Sequence, residues 1–92
     1  MEKIAFIQAH RALFWSVSDA QLPNVSDTLL VETILNYGSL EDVKSLFQLM
    51  GIGEVARLFR QSTVERVRNN YFPEVLNFFN LYFNRHAPIH TV

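Results

Sequence analysis

Residues 39–51 read Ser39-Leu40-Glu41-Asp42-Val43-Lys44-Ser45-Leu46-Phe47-Gln48-Leu49-Met50-Gly51. Val43, Leu46, Phe47 and Met50 fall at i, i+3, i+4 and i+7, which puts four apolar side chains on one face of a helix. Ser39 stands where an N-cap is needed. Glu41 and Asp42 set negative charge at the positive end of the helix dipole, and Gly51 supplies the stop. This is the strongest helical signal in the chain. No other stretch opposes it, since none alternates apolar and polar residues as a half-buried strand would.

Working outward, Ser26 reads as the N-cap of the preceding helix, with Asp27 in its first turn and Val25 placed to staple onto Leu30. Leu30, Val31, Ile34 and Leu35 carry its apolar face, and Gly38 is expected in the left-handed conformation that closes a helix. Before it, Ser16 to Val25 reads as a loop around Pro23. A first helix spans Glu2 to Trp15, with Ile4, Ile7, Leu13 and Phe14 as its stripe. After Gly51, a short helix is expected from Glu54 to Gln61, with Val55, Leu58 and Phe59 inward and Arg57 and Arg60 opposite. A fifth would open on Ser62-Thr63-Val64-Glu65, a capping-box pattern. A sixth runs from Pro73, a residue suited to a first helical turn, to about Asn84. The tail from Arg85, with Pro88, is expected to fray. The fold class is therefore all-α: a compact, irregular, orthogonal array of five or six short helices that only packing can hold.

Size and composition narrow the function. A chain of 92 residues is one domain, 1–92. With 49% hydrophobic residues and a net charge of −1, it collapses rather than staying disordered. No apolar run approaches the roughly 20 residues of a membrane span. Zero Cys removes disulfides and thiolate chemistry. No basic stretch followed by an apolar core stands at the N-terminus, so the expected compartment is the cytoplasm.

No catalytic constellation stands out. Glu41 and Asp42 are adjacent and so point about 100° apart on a helix, which suits the dipole rather than paired acid–base work. Gly51-Ile52-Gly53 lacks the strand and further glycine of a phosphate loop and reads as a tight turn. His86 and His90 are four apart, but Pro88 between them and the lack of a third ligand favour a polar terminus over a metal site. His10, beside Arg11, reads as a surface residue. Neither metal nor cofactor is expected.

Two features suit partners instead. Residues 51–92 hold five Arg against three acids, while residues 1–50 hold three Lys or Arg against six acids. Arg57, Arg60, Arg66 and Arg68 lie within twelve residues, across the turn expected at Gln61-Ser62. That layout resembles a helix-turn-helix with phosphate-binding forks, although the net charge argues against a dedicated DNA binder. The second feature is the last helix. At about 100° per residue, Glu74, Asn77, Asn80 and Asn84 mark a polar sector of about 120°, and Val75, Leu76, Phe78, Phe79, Leu81, Tyr82 and Phe83 take the remaining arc of about 220°. A surface helix needs only about 100°. Either this helix is central, or one side (Phe78, Leu81, Tyr82, against Leu76, Phe79, Phe83) meets another molecule.

Leu13-Phe14-Trp15, a polar loop, and Ile34-Leu35-Asn36-Tyr37-Gly38 together resemble a widespread family of small uncharacterised bacterial helical proteins, common in the Bacteroidetes. Its pattern runs Leu-Phe-Trp-Asp, a loop, and a helix ending in Tyr-Gly. The resemblance covers about residues 4–83, with Gly51 as a second helix-ending glycine. Ser16 and Ser18 stand where the family usually has acids. Family members often neighbour nucleotidyltransferase-type toxins, so the resemblance implies an accessory or antitoxin-like role. Read from its residues, Leu13-Phe14-Trp15 is a bulky core anchor.

The expectation is a non-catalytic interaction module. It would bind another protein or a second copy of itself through Phe78, Phe79, Leu81, Tyr82 and Phe83, with the homodimer slightly favoured. The alternative is a nucleic-acid-binding regulator working through Arg57, Arg60, Arg66 and Arg68.

Overall fold

The hydroxyl of Ser39 accepts a hydrogen bond from the Asp42 amide at 3.2 Å, and the Asp42 carboxylate accepts one from the Ser39 amide at 2.9 Å. This closed capping box starts the helix that the sequence marks most strongly. Ser26 does the same one helix earlier, its Oγ accepting from the Leu29 amide at 3.1 Å. Pro73 opens the last helix at a position where its missing N–H costs nothing.

The computed structural model describes residues 3–64 and 70–88. Among them the order is α1 (Lys3–Ala9), a 3₁₀ turn (Arg11–Phe14), a second 3₁₀ turn (Asp19–Asn24), α2 (Asp27–Tyr37), α3 (Leu40–Met50), α4 (Ile52–Val64) and α5 (Pro73–His86). The class is all-α, as expected, and no strand occurs among the described residues. Nor is any described helix long and apolar enough to cross a membrane.

Helices α2, α3 and α4 pack closely on one another, and the 3₁₀ turns lie against α1 and α2. Phe6, Phe14, Leu30, Ile34, Leu46, Val55, Phe59 and Phe83 are fully buried in one continuous core. Helix α5 joins this core through rings rather than through close backbone approach. Phe83 meets Phe59 of α4 edge-on at 5.2 Å and Phe47 of α3 at 6.0 Å.

Several local expectations are corrected. The first helix ends at Ala9, not Trp15. His10 breaks it without any Gly or Pro, its Nδ1 standing 2.8 Å from the Phe6 carbonyl oxygen and its Nε2 3.1 Å from Asp42. His10 is thus a half-buried strut between α1 and the start of α3, not a surface residue. Arg11 closes the 3₁₀ turn that follows, donating to the carbonyls of Phe14 and Val17 and pairing with Asp19. Ile4, expected inward, is partly exposed. The stretch read as loop holds the second 3₁₀ turn.

Gly38 is extended (φ −77°), not left-handed. Its requirement is close approach: a Cβ there would stand 2.6 Å from the Ile34 carbonyl oxygen and 3.0 Å from the Asp42 Cβ. Gly51 (φ 85°) is the left-handed residue. The helix after it starts at Ile52 and runs unbroken to Val64. The turn expected at Gln61-Ser62 is absent, and Ser62 is a buried mid-helix residue rather than a cap. Thr63 donates its hydroxyl back to the Phe59 carbonyl at 2.9 Å, a bond helix interiors accommodate. At the far end α5 continues through Arg85 and His86, both suited to the negative pole of its dipole, where fraying was expected.

Candidate interaction surface

The five aromatic and aliphatic residues singled out on the last helix divide by burial. Phe79 and Phe83 are core residues, and Tyr82 is half-buried, stacked 5.9 Å from Phe47. Phe78 is 53% exposed and Leu81 65%. The helix is therefore peripheral, with Leu76, Phe79 and Phe83 turned inward. Leu81, at about 340° on the wheel, stands within the polar sector between Asn77 and Glu74, so the apolar arc is narrower than the composition of the helix suggests. Phe78 borders that arc and packs only along its own helix among the ring contacts of the described residues, edge-on to Phe79 at 5.0 Å and stacked on Tyr82 at 6.0 Å.

Phe78 has a counterpart across a shallow groove. Leu40, in the first turn of α3, is 64% exposed. Leu35, Leu40, Val43, Val75 and Phe78 line a groove of about 270 Å³ between the start of α3 and the start of α5, with Glu74 at its rim. Leu40 stands three residues before Val43 and seven before Phe47, on the apolar stripe of α3, so periodicity points it inward and only the structure leaves it in water.

The two described arginines of the set, Arg57 and Arg60, do not share a free face. Arg57 is clamped to Glu54 one turn earlier through both its Nε and a terminal nitrogen. That pair holds the Glu54 carboxyl below its ordinary range and raises the Arg57 guanidinium further, the hydrogen bonds being the main cause. Arg60 turns the other way, donating to the Phe83 carbonyl oxygen at 3.0 Å. Arg66 and Arg68 lie outside the described residues, as does His90. No group of three metal-ligating side chains forms among the described residues.

A second concave site was not anticipated. Leu13, Phe14, Trp15, Leu29, Glu32 and Tyr37 line a pocket of about 150 Å³ between the first 3₁₀ turn and the outer face of α2. It brings together Leu13-Phe14-Trp15 and the end of α2, two motifs more than twenty residues apart. Only part of the first motif is a core anchor: Phe14 is buried, while Trp15 is 78% exposed. Beside the pocket, Asn36 donates to the Asn70 carbonyl at 3.0 Å and accepts from the Phe72 amide at 3.1 Å. That two-point clamp ties the lead-in to α5 onto α2, and it sets the Phe72 ring edge-on to Tyr37 at 5.4 Å.

No protein-family model, curated protein or solved structure matches the chain. What the fold and its surfaces define is a class: a small all-α protein with exposed aromatic and aliphatic side chains beside the α3–α5 groove and the Trp15 pocket.

Proposed function

We propose that this protein is a non-catalytic, cytoplasmic interaction module that pairs with a second copy of itself through the α3–α5 groove. One observation carries the reading. Phe78 and Leu40, two large side chains more than half exposed, stand on opposite lips of an apolar groove. A projecting ring beside a groove is self-complementary under two-fold symmetry, because each Phe78 can enter the groove of the other copy. Pairing would remove Phe78 and Leu40 from water together, which single scattered surface side chains do not require. The accessory or antitoxin-like setting implied by the family resemblance is one in which such a module would act.

The nucleic-acid alternative gains no observation of its own among the described residues, since Arg57 is ion-paired and Arg60 bonds the backbone. Sedimentation equilibrium over a wide micromolar range tests the proposal. A concentration-dependent dimer that Phe78→Asp converts to a folded monomer supports it. A strict monomer at the highest concentration overturns it.

A further inference from the structure

We propose that the pocket between the first 3₁₀ turn and α2 receives a lysine or arginine side chain from a partner polypeptide. Its size suits one side chain: about 150 Å³ is well below the roughly 300–1,000 Å³ of a small-molecule site. Its chemistry selects the type. Leu13 and Leu29 offer apolar wall to an aliphatic stem, and Trp15 and Tyr37 contribute aromatic surface that attracts a cation. Among the described residues Glu32 is the only acidic or basic one in the lining. Among the described residues no cation pairs with it, and its partner is the neutral side-chain amide of Asn70 at 3.4 Å.

Other side chains fit less well. A carboxylate would face Glu32 at close range, and like charges repel there. A purely aliphatic side chain would strip water from Glu32 and return no hydrogen bond. A cation satisfies the carboxylate, buries its own stem and stacks on rings that otherwise stay in water. The surrounding half of the chain adds a favourable field, since residues 1–50 carry six acids against three basic residues.

Trp15 is the only tryptophan, so its fluorescence reports directly on the pocket. The probes are the blocked tripeptides acetyl-Gly-Arg-Gly-amide and acetyl-Gly-Lys-Gly-amide, with citrulline and norleucine replacing Arg and Lys as uncharged controls. The expected result is a saturable change in Trp15 emission in the millimolar range for at least one cationic peptide and none for its control. Glu32→Gln, which keeps the amide contact to Asn70, should weaken that affinity about tenfold while leaving the circular dichroism unchanged. An equal response to the uncharged controls, no saturable response to either cationic peptide, or unaltered affinity in a folded Glu32→Gln variant would each overturn the assignment. Because Glu32 and Trp15 lie outside the α3–α5 groove, the outcome does not depend on dimer formation.

Discussion

The guanidinium of Arg60 donates a hydrogen bond to the carbonyl oxygen of Phe83, 3.0 Å away and 23 positions later in the chain. Arg60 is a half-buried residue of α4, and Phe83 lies in the last turn of α5, at the negative end of the dipole, where its carbonyl oxygen also accepts from the Ala87 amide at 2.9 Å. A residue whose composition suggests phosphate contact is instead a fastener between two helices.

Removing that fastener should cost stability. Arg60→Ala is expected to lower unfolding free energy by about 1–2 kcal/mol, the range for a partly buried hydrogen bond with one charged partner. Arg57→Ala, which breaks only an exposed pair with Glu54, should stay within about 0.5 kcal/mol of the parent. Urea titration with an unchanged slope separates the two.

The capping box makes the start of α3 sensitive to acid. The Ser39 amide hydrogen bond, aided by the Ser39 hydroxyl and the nearby His10 ring, holds the Asp42 carboxyl below its ordinary value near 3.8. A carboxyl depressed in the folded state adds stability above its unfolded pKa and loses it as pH falls through the folded one. Asp42→Asn should therefore be less stable than the parent near neutrality by about 1 kcal/mol, a typical cap contribution. The gap should close as pH drops below about 3.8. Urea midpoints for both proteins across the acid range check this.

Neighbouring phenylalanines on α5 should respond in opposite ways. Phe79→Ala opens a cavity against Phe59 and should cost about 3–5 kcal/mol. Phe78→Asp introduces a charge at a site already 53% in water and should leave the helix content unchanged. Thermal unfolding followed by circular dichroism distinguishes them.

Glycines 38 and 53 form another contrasting pair. Gly38→Ala drives a methyl group against the Ile34 carbonyl, so the chain must shift, and a loss of about 1–3 kcal/mol is expected. At Gly53, in the first turn of α4, a Cβ meets nothing within 4 Å. Gly53→Ala should raise stability by about 0.4–1 kcal/mol by restricting the unfolded chain. Differential scanning calorimetry of both variants gives the signs directly.

The helix starts at Ser26, Ser39 and Pro73 are legible because a cap acts within three or four residues of itself. The break at His10 and the uninterrupted helix through Ser62 are not. His10 breaks its helix by reaching Asp42, 32 positions on, and Ser62 stays helical because the core covers it. The same residue types on an isolated strip of sequence carry no such instruction, so the Ser-x-x-Glu pattern that begins at Ser62 reads as a start where α4 runs on to Val64.

For the candidate sites the division is sharper. The sequence by itself determined that the chain is helical, that its last helix carries more aromatic side chains than one face can bury, and that its two halves differ in charge. All three follow from period, composition and charge, which are properties of neighbours along the chain. Only the tertiary structure decided that Phe79 and Phe83 go inward while Phe78 and Leu81 stay in water. It also set Leu40 opposite Phe78, turned Arg60 onto the Phe83 carbonyl, and made one pocket from Trp15, Glu32 and Tyr37. Those placements depend on which helix lies against which, and that is settled by ring packing between α3, α4 and α5 across long sequence separations, not by any local preference.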